Sequence, residues 1–366
     1  MGQGRGTCHF ESDGIHVRGE TEANVMPSPS SGLPRGKVPA DLLATLLADL
    51  PDAPPGLILG PAVGEDACAI AIPEGVLVAA TDPITLTTGD IGRFGVIING
   101  NDVAVMGVRP RWFLAVILLP SGTSREDVRR IFGSIEIGLE EVGAVLVGGH
   151  TEMTEAVNQP VLVGQMMGIS EQGHFVSTGG AKPGDVLVQV GPAPVEGAAV
   201  LAVEAEATHG TLSGQSLDAA ANAANAPGLS VVEPALLAAE LGATAMHDPT
   251  EGGMAAGLHE IARAAGVALS IDTRSMLWFE PGLAVCEAVG ADPWATLASG
   301  ALLATFPQDL VGHAVDELTK RGHVAAVVGS VGEGAGVSDQ AGEAIYWPER
   351  DEVARVLGSS DTTVPS

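Results

Sequence analysis

One stretch, Val78 to Pro110 (VAATDPITLTTGDIGRFGVIINGNDVAVMGVRP), constrains the fold more than any other part of the chain. Its opening run, Val78-Ala79-Ala80, suits a buried strand that delivers Asp82 at its end. A Gly-Asp turn follows, and Ile91, Phe94, Val96, Ile97, Ile98, Val103 and Val105 then recur at the spacing of a helix buried on most sides. Asn99, Asn101 and Asp102 fall inside that apolar helix within a single turn. Burying a carboxylate and two amides is costly unless a metal, a charge or hydrogen bonds compensate, so the cluster asks for partners. Two readings are open here: a capped helix kinked at Gly100, or Asp82 and Asp102 converging on a divalent cation.

A chain of 366 residues has room for two domains, each with its own core. Its 46% hydrophobic content excludes a disordered chain, and 49 glycines with only 3% aromatics suit close-packed α/β or α+β layers. The formal charge is −28, from 45 Asp and Glu against 17 Lys and Arg. A field of that sign repels a phosphate backbone, so nucleic acid is not expected as a partner. An anionic substrate such as ATP would have to be held by metal ions and helix N-termini rather than by side-chain cations. Cys8, Cys68 and Cys286 are too scattered for a disulfide framework or a zinc site. The longest apolar run, Trp112 to Leu119, is too short to cross a bilayer, and no secretory leader is read at the start. The expectation is a cytoplasmic protein that does not act at a membrane.

In chain order, residues 1–36 read as a disordered tail, with His9 and His16 solvated in it. A helix with Leu42, Leu43, Leu46, Leu47 and Leu50 on one broad face runs to Pro51. Gly64-Glu65-Asp66-Ala67 places carboxylates at a strand edge, one hairpin before Asp82. Trp112 to Leu119 reads as a central strand, and Ser124 with Asp127 as a capping box opening a helix. Ala144 to Val147 reads as a short buried strand ending in Gly148-Gly149-His150-Thr151-Glu152, where two glycines allow close backbone approach to a ligand. Gln159 to Ile169 is a further apolar strand, and a domain boundary is placed near residue 175. Residues 192–228 have a weak period and read as helices with a mobile connection. His247-Asp248-Pro249-Thr250-Glu251-Gly252-Gly253 is a strand end entering a helix, whose free amides would suit either a phosphate or ordinary capping.

The ordered set G-E-D-A (Gly64 to Ala67), T-D-P (Thr81 to Pro83), N-D-V-A-V-M-G (Asn101 to Gly107), G-G-H-T-E, P-G-D (Pro183 to Asp185), H-D-P-T-E-G-G and S-G-A-L-L (Ser299 to Leu303) resembles the AIR synthase-related (PurM-like) superfamily. The N-D-V-A-V-M-G and D-P-T-x-G-G segments bring it nearest to HypE-like hydrogenase maturation proteins. The resemblance implies a two-domain α/β (α+β) fold: an N-terminal ATP-binding domain (37–174) dimerising through its sheet, and a C-terminal domain (175–340), with residues 341–366 a C-terminal tail. It implies ATP and Mg²⁺ as cofactors. Asp66, Asp82 and Asp102 match the metal carboxylates. Asn101, Gly148, Gly149 and Thr151 match phosphate or substrate contacts, with Asp248, Gly252 and Gly253 on the far wall.

Three departures accompany the match. HypE dehydratases end in a cysteine that carries the carbamoyl group, whereas this sequence ends TTVPS with no cysteine after Cys286. Glu152 stands where those enzymes have lysine, beside His150 in place of an acid, and Glu251 stands where they have arginine. The expectation is therefore an Mg-ATP-dependent, HypE-like enzyme that activates a small-molecule or protein acceptor by phosphoryl transfer, the acceptor being unidentified. His150 and His247 are the candidate catalytic bases. The alternatives are a small-molecule kinase resembling thiamine-monophosphate kinase and a non-catalytic nucleotide-binding partner in a maturation complex.

Overall fold

The structure, a computed structural model, describes residues 38–48, 55–85, 90–209 and 214–360. The expected tail at 1–36, the end of the first helix at Leu50 and the last six residues lie outside these. Helix α1 (Ala40–Ala48) precedes the N-terminal layer and buries none of its residues, so its leucine face is not spent on a core here.

Six strands form the N-terminal sheet: β1 (Leu57–Leu59), β2 (Cys68–Ile72), β3 (Gly75–Ile84), β4 (Trp112–Pro120), β5 (Val145–Thr154) and β6 (Val161–Ser170). Their order across the sheet is β1-β2-β3-β6-β4-β5. Helices α2 (Ile91–Ala104) and α3 (Arg125–Val142) pack together on one face. The capping box at Ser124 and Asp127 opens α3, and Gly143, at φ 73°, closes it. Strand β4 shows the half-covered alternation: Phe113, Ala115, Ile117 and Leu119 are buried, while Trp112, Leu114, Val116 and Leu118 on the opposite face are not. That second face carries apolar side chains with no covering layer among the described residues.

Helix α2 runs unbroken, without a kink at Gly100, and every one of its residues is buried. Its amides meet their cost with hydrogen bonds. Asn99 Oδ1 accepts from the Asp82 N–H at 2.8 Å, and its Nδ2 donates to the Gly95 carbonyl at 2.8 Å and the Asp82 carbonyl at 3.2 Å. Gly164 makes this possible, because a Cβ there would stand 2.4 Å from Asn99 Nδ2. Asn101 turns to the second domain, donating to the Leu229 carbonyl and accepting from the Val231 N–H, both at 2.9 Å.

Strand β5 differs from the sequence reading. It is ten residues long, sits at the sheet edge and is exposed over nearly all its length, whereas a short buried strand at Ala144 to Val147 was expected. The glycines extend the strand rather than ending it. A Cβ on Gly149 would lie 2.0 Å from the Ala115 carbonyl oxygen, so only glycine keeps the parallel register with β4.

The C-terminal layer comprises β7 (Val186–Val190), α4 (Glu196–His209), α5 (Gly214–Ala221), α6 (Val232–Glu240), β8 (Ala245–His247), α7 (Gly253–Ala265), β9 (Ala268–Ile271), α8 (Glu280–Val289), β10 (Leu302–Phe306), α9 (Val311–Lys320), β11 (Ala325–Gly332), β12 (Gly336–Asp339) and α10 (Glu352–Ser360). The sheet order is β12-β9-β11-β7-β10-β8. Residues expected as a C-terminal tail include α10, whose Val353 and Val356 are buried against the α4 and α8 side of the domain. The two layers share one continuous apolar core that takes in α2, β4, α6 and β10. Arg93 ties them as well, bonding Glu141 at 2.9 Å within its own domain and Asn225 Oδ1 at 3.0 Å and the Ala224 carbonyl at 3.1 Å across the seam.

Candidate functional site

The acidic residues gather where the two layers meet. Asp66 leaves the N-terminal domain just before β2, and its Oδ2 faces His247 Nδ1 at 2.8 Å and accepts from Thr178 Oγ1 at 3.1 Å. His247 ends β8, and its other nitrogen, Nε2, faces Glu260 Oε2 on α7 at 2.9 Å. Beside Asp66, Glu65 accepts from the N–H groups of Gly179 at 3.1 Å and Thr178 at 3.3 Å. The acidic loop of one domain is thus held on a short turn and a strand end of the other.

A carboxylate at each ring nitrogen leaves His247 with no nitrogen to take a proton from a substrate, because ionised carboxylates only accept hydrogen bonds. Burial by itself would depress the imidazole pKa, but the charges and hydrogen bonds of Asp66 and Glu260 outweigh it and hold the group well above its ordinary value. His247, a candidate base from sequence, is therefore a charged bridge in this structure.

Asp248, the next residue, is 1% exposed, and neither of its carboxyl oxygens has a hydrogen-bond partner. Burial pushes its pKa well above the carboxylate range, the neighbouring charges of Asp66 and Asp82 add to this, and His247 opposes it. Asp82 also acts on Glu196, at the start of α4. Burial lifts Glu196 to about 7, Ser299 opposes the rise, and the charges of Glu251, Asp351 and Asp82 add to it. Asp351 is itself raised to about 7, chiefly by burial. It accepts the Gly252 N–H at 2.8 Å and the Val353 N–H at 2.7 Å.

The structure thus brings Asp66, Asp82 and Asp248 into one electrostatic neighbourhood. Asp102 is buried on α2, three residues and so about one turn beyond the Asn99 that holds the Asp82 backbone. Among the described residues, no three His, Cys, Asp or Glu side chains stand ready-made as a metal cage. Gly148, Gly149 and Thr151 lie on exposed β5, where His150 Nε2 faces Glu152 at 3.2 Å. Asn101 spends its amide on the backbone of residues 229 and 231, and the Gly252 amide, open from sequence to a phosphate or to ordinary capping, is taken by Asp351. Sequence reasoning passed over Glu196, Glu260 and Asp351. Glu196 lies in a segment of weak period, Glu260 on the polar side of an amphipathic helix, and Asp351 in the presumed tail. Only the fold carries them to the seam.

Residues 64–170 match the model of the AIR synthase related protein N-terminal domain, and residues 182–341 that of its C-terminal domain. Carbamoyl dehydratase HypE of Rhodobacter capsulatus is 30% identical over 82% of this chain and 88% of its own. The chain belongs to the AIR synthase-related family. Its two-sheet architecture is the PurM-like α/β fold that the motifs implied. A HypE–HypF complex contains a chain of this fold with TM-score 0.65 and 23% identity, covering 79% of this chain and 94% of that one. HypE in complex with ATP gives TM-score 0.64 at 21% identity, covering 85% and 91%. Among the described residues, no helix of this family member is long and apolar enough to cross a membrane.

The raised acids make stability depend on pH in a definite direction. Glu196 ionises near 4.5 when unfolded and near 7 when folded, so the folded state holds the extra proton between these values. Stability is then lost as pH rises through about 7, by on the order of 3 kcal/mol for this group. In chelator-containing buffer, Glu196→Gln should raise the thermal midpoint by several degrees at pH 8 and change it little at pH 4.5. Equal midpoint differences at both pH values would show that Glu196 does not titrate in this window.

Proposed function

We propose that the seam between the two layers holds a divalent cation and ATP, and that the chain uses them to activate an acceptor by phosphoryl transfer. The observation that carries this reading is Asp248: a carboxylate almost wholly removed from water, with both oxygens unpartnered and the charges of Asp66 and Asp82 beside it. A bound cation would relieve that arrangement directly. Asp66, Asp82 and Asp248 would hold the metal, with Asp102 on α2 a further candidate. When bound, Mg²⁺ offsets the charge of the triphosphate and orients it. A chain with only 17 Lys and Arg depends on such help. The HypE relative crystallised with ATP supports the nucleotide.

The working form in this proposal is a homodimer. The uncovered sheet face carries Trp112, Leu114, Val116, Leu118, Val163 and Met167, and a second copy would cover it. That arrangement would also bring the exposed Gly148, Gly149 and Thr151 amides of β5 under cover, where they could serve phosphate. Val116→Glu should convert a dimer to a monomer in sedimentation equilibrium; an unchanged mass would remove this face as the interface.

Calorimetric titration with ATP tests the central reading. ATP should bind only with Mg²⁺ present, and Asp248→Asn should weaken that binding at least tenfold. Magnesium-independent binding, or no binding at all, would contradict it. A second reading, a nucleotide-binding partner without turnover, draws on two observations: His247 has both nitrogens engaged, and Asp351 fills the α7 amide. The HypE–HypF complex supplies a precedent for a protein partner. Acceptor-dependent ATP hydrolysis would exclude this second reading, and tight binding without turnover across an acceptor screen would favour it.

A further inference from the structure

We propose that His247, braced from behind by Glu260, is the positioning residue that aims Asp66 at the cation, so that the acidic loop of the N-terminal domain gains its binding geometry from the C-terminal domain. This rests on the cation reading above and adds to it a residue pair and an inter-domain dependence.

Asp66 Oδ2 is engaged by two groups of the other domain, His247 Nδ1 at 2.8 Å and Thr178 Oγ1 at 3.1 Å, so Oδ1 is the oxygen left for the proposed cation. The imidazole cannot swing away, because its far nitrogen is held by Glu260 Oε2 at 2.9 Å and the ring is 3% exposed. The Thr178 hydroxyl also reaches the Met246 carbonyl at 3.2 Å, so the second support for Asp66 is tied to the same strand as the first. The backbone is shaped for this docking. Gly64, two residues before Asp66, has φ +91°, and a Cβ there would lie 2.9 Å from the Glu260 carbonyl oxygen. Only glycine lets the loop come this close to α7 at the residue that braces the imidazole. A carboxylate that binds metal through one oxygen while a histidine and a hydroxyl anchor the other is held by a supporting shell, and loss of such support costs about 10–100-fold in metal affinity.

The test uses the full chain with ATP in excess and reads the Mg²⁺ dissociation constant alongside the melting curve. His247→Ala should weaken Mg²⁺ binding about 10–100-fold. His247→Asn should recover most of that loss, because its amide nitrogen takes the place of Nδ1 toward Asp66 while abandoning Glu260. A role confined to holding the fold predicts the opposite pattern, with Asn as poor as Ala in affinity. Wild-type Mg²⁺ affinity in His247→Ala, or an Asn variant no better than Ala, would overturn the proposal. Should His247→Ala not fold, Glu260→Ala carries the test: the ring stays but is unbraced, and Mg²⁺ affinity should fall severalfold, an unchanged value being the refutation. Failure of the cation reading is distinct, since wild-type protein would then show no magnesium-dependent ATP binding, and the proposal would fall with it.

Discussion

Asp248 is buried to 1% exposure with neither carboxyl oxygen hydrogen-bonded, and a group in that state stays in a folded core only by holding a proton or by meeting a cation. The rest of the seam is arranged around the same difficulty. Asp66 is met by His247 and Thr178, His247 by Glu260, and Asp351 by the amides of Gly252 and Val353. Glu196 has Ser299 beside it and three carboxylates close enough to oppose its ionisation. In a chain of net charge −28, this concentration of acids at the junction of two sheets is a standing electrostatic cost. In the proposed reading a divalent cation would relieve it, and the same cation would offset the charge of a triphosphate.

The architecture explains why the cost is tolerated. Helix α2 is enclosed by the N-terminal sheet, α3 and α6, and its amides lock strand to helix through Asn99 and domain to domain through Asn101. Arg93 adds a buried tie across the same seam. These bonds fix where β3 places Asp82, while β8 and α7 fix His247 and Asp248. Asp82 thus sits on a strand, while Asp66 and Asp248 sit on short segments next to β2 and β8 that hydrogen bonds and packing across the seam hold in place.

Much of this was legible in the residues. The apolar runs of β4 and β6, the capping box of α3 and the all-round apolar period of α2 each pointed to the right element, because those signals are local. The motif order gave the two-domain fold. What sequence could not convey was partner identity across long separations. Burial of the Asn101 amide asked for a partner, and the motif match suggested a phosphate or substrate; in the structure its amide bonds the backbone 128 and 130 residues away. His247 read as a base because it lies at a glycine-containing strand end, and the acids that engage it are 181 and 13 residues off. Strand β5 misled for a different reason: an apolar run signals burial, but an edge strand can bear apolar residues that no layer among the described residues covers.

The most direct measurement is anomalous diffraction at the manganese edge from crystals grown with Mn²⁺ and a non-hydrolysable ATP analogue. The account predicts a manganese peak at the seam, within about 2–2.5 Å of oxygens of Asp248 and Asp66. A nucleotide bound with its metal elsewhere, leaving Asp248 enclosed and unpartnered, would contradict it.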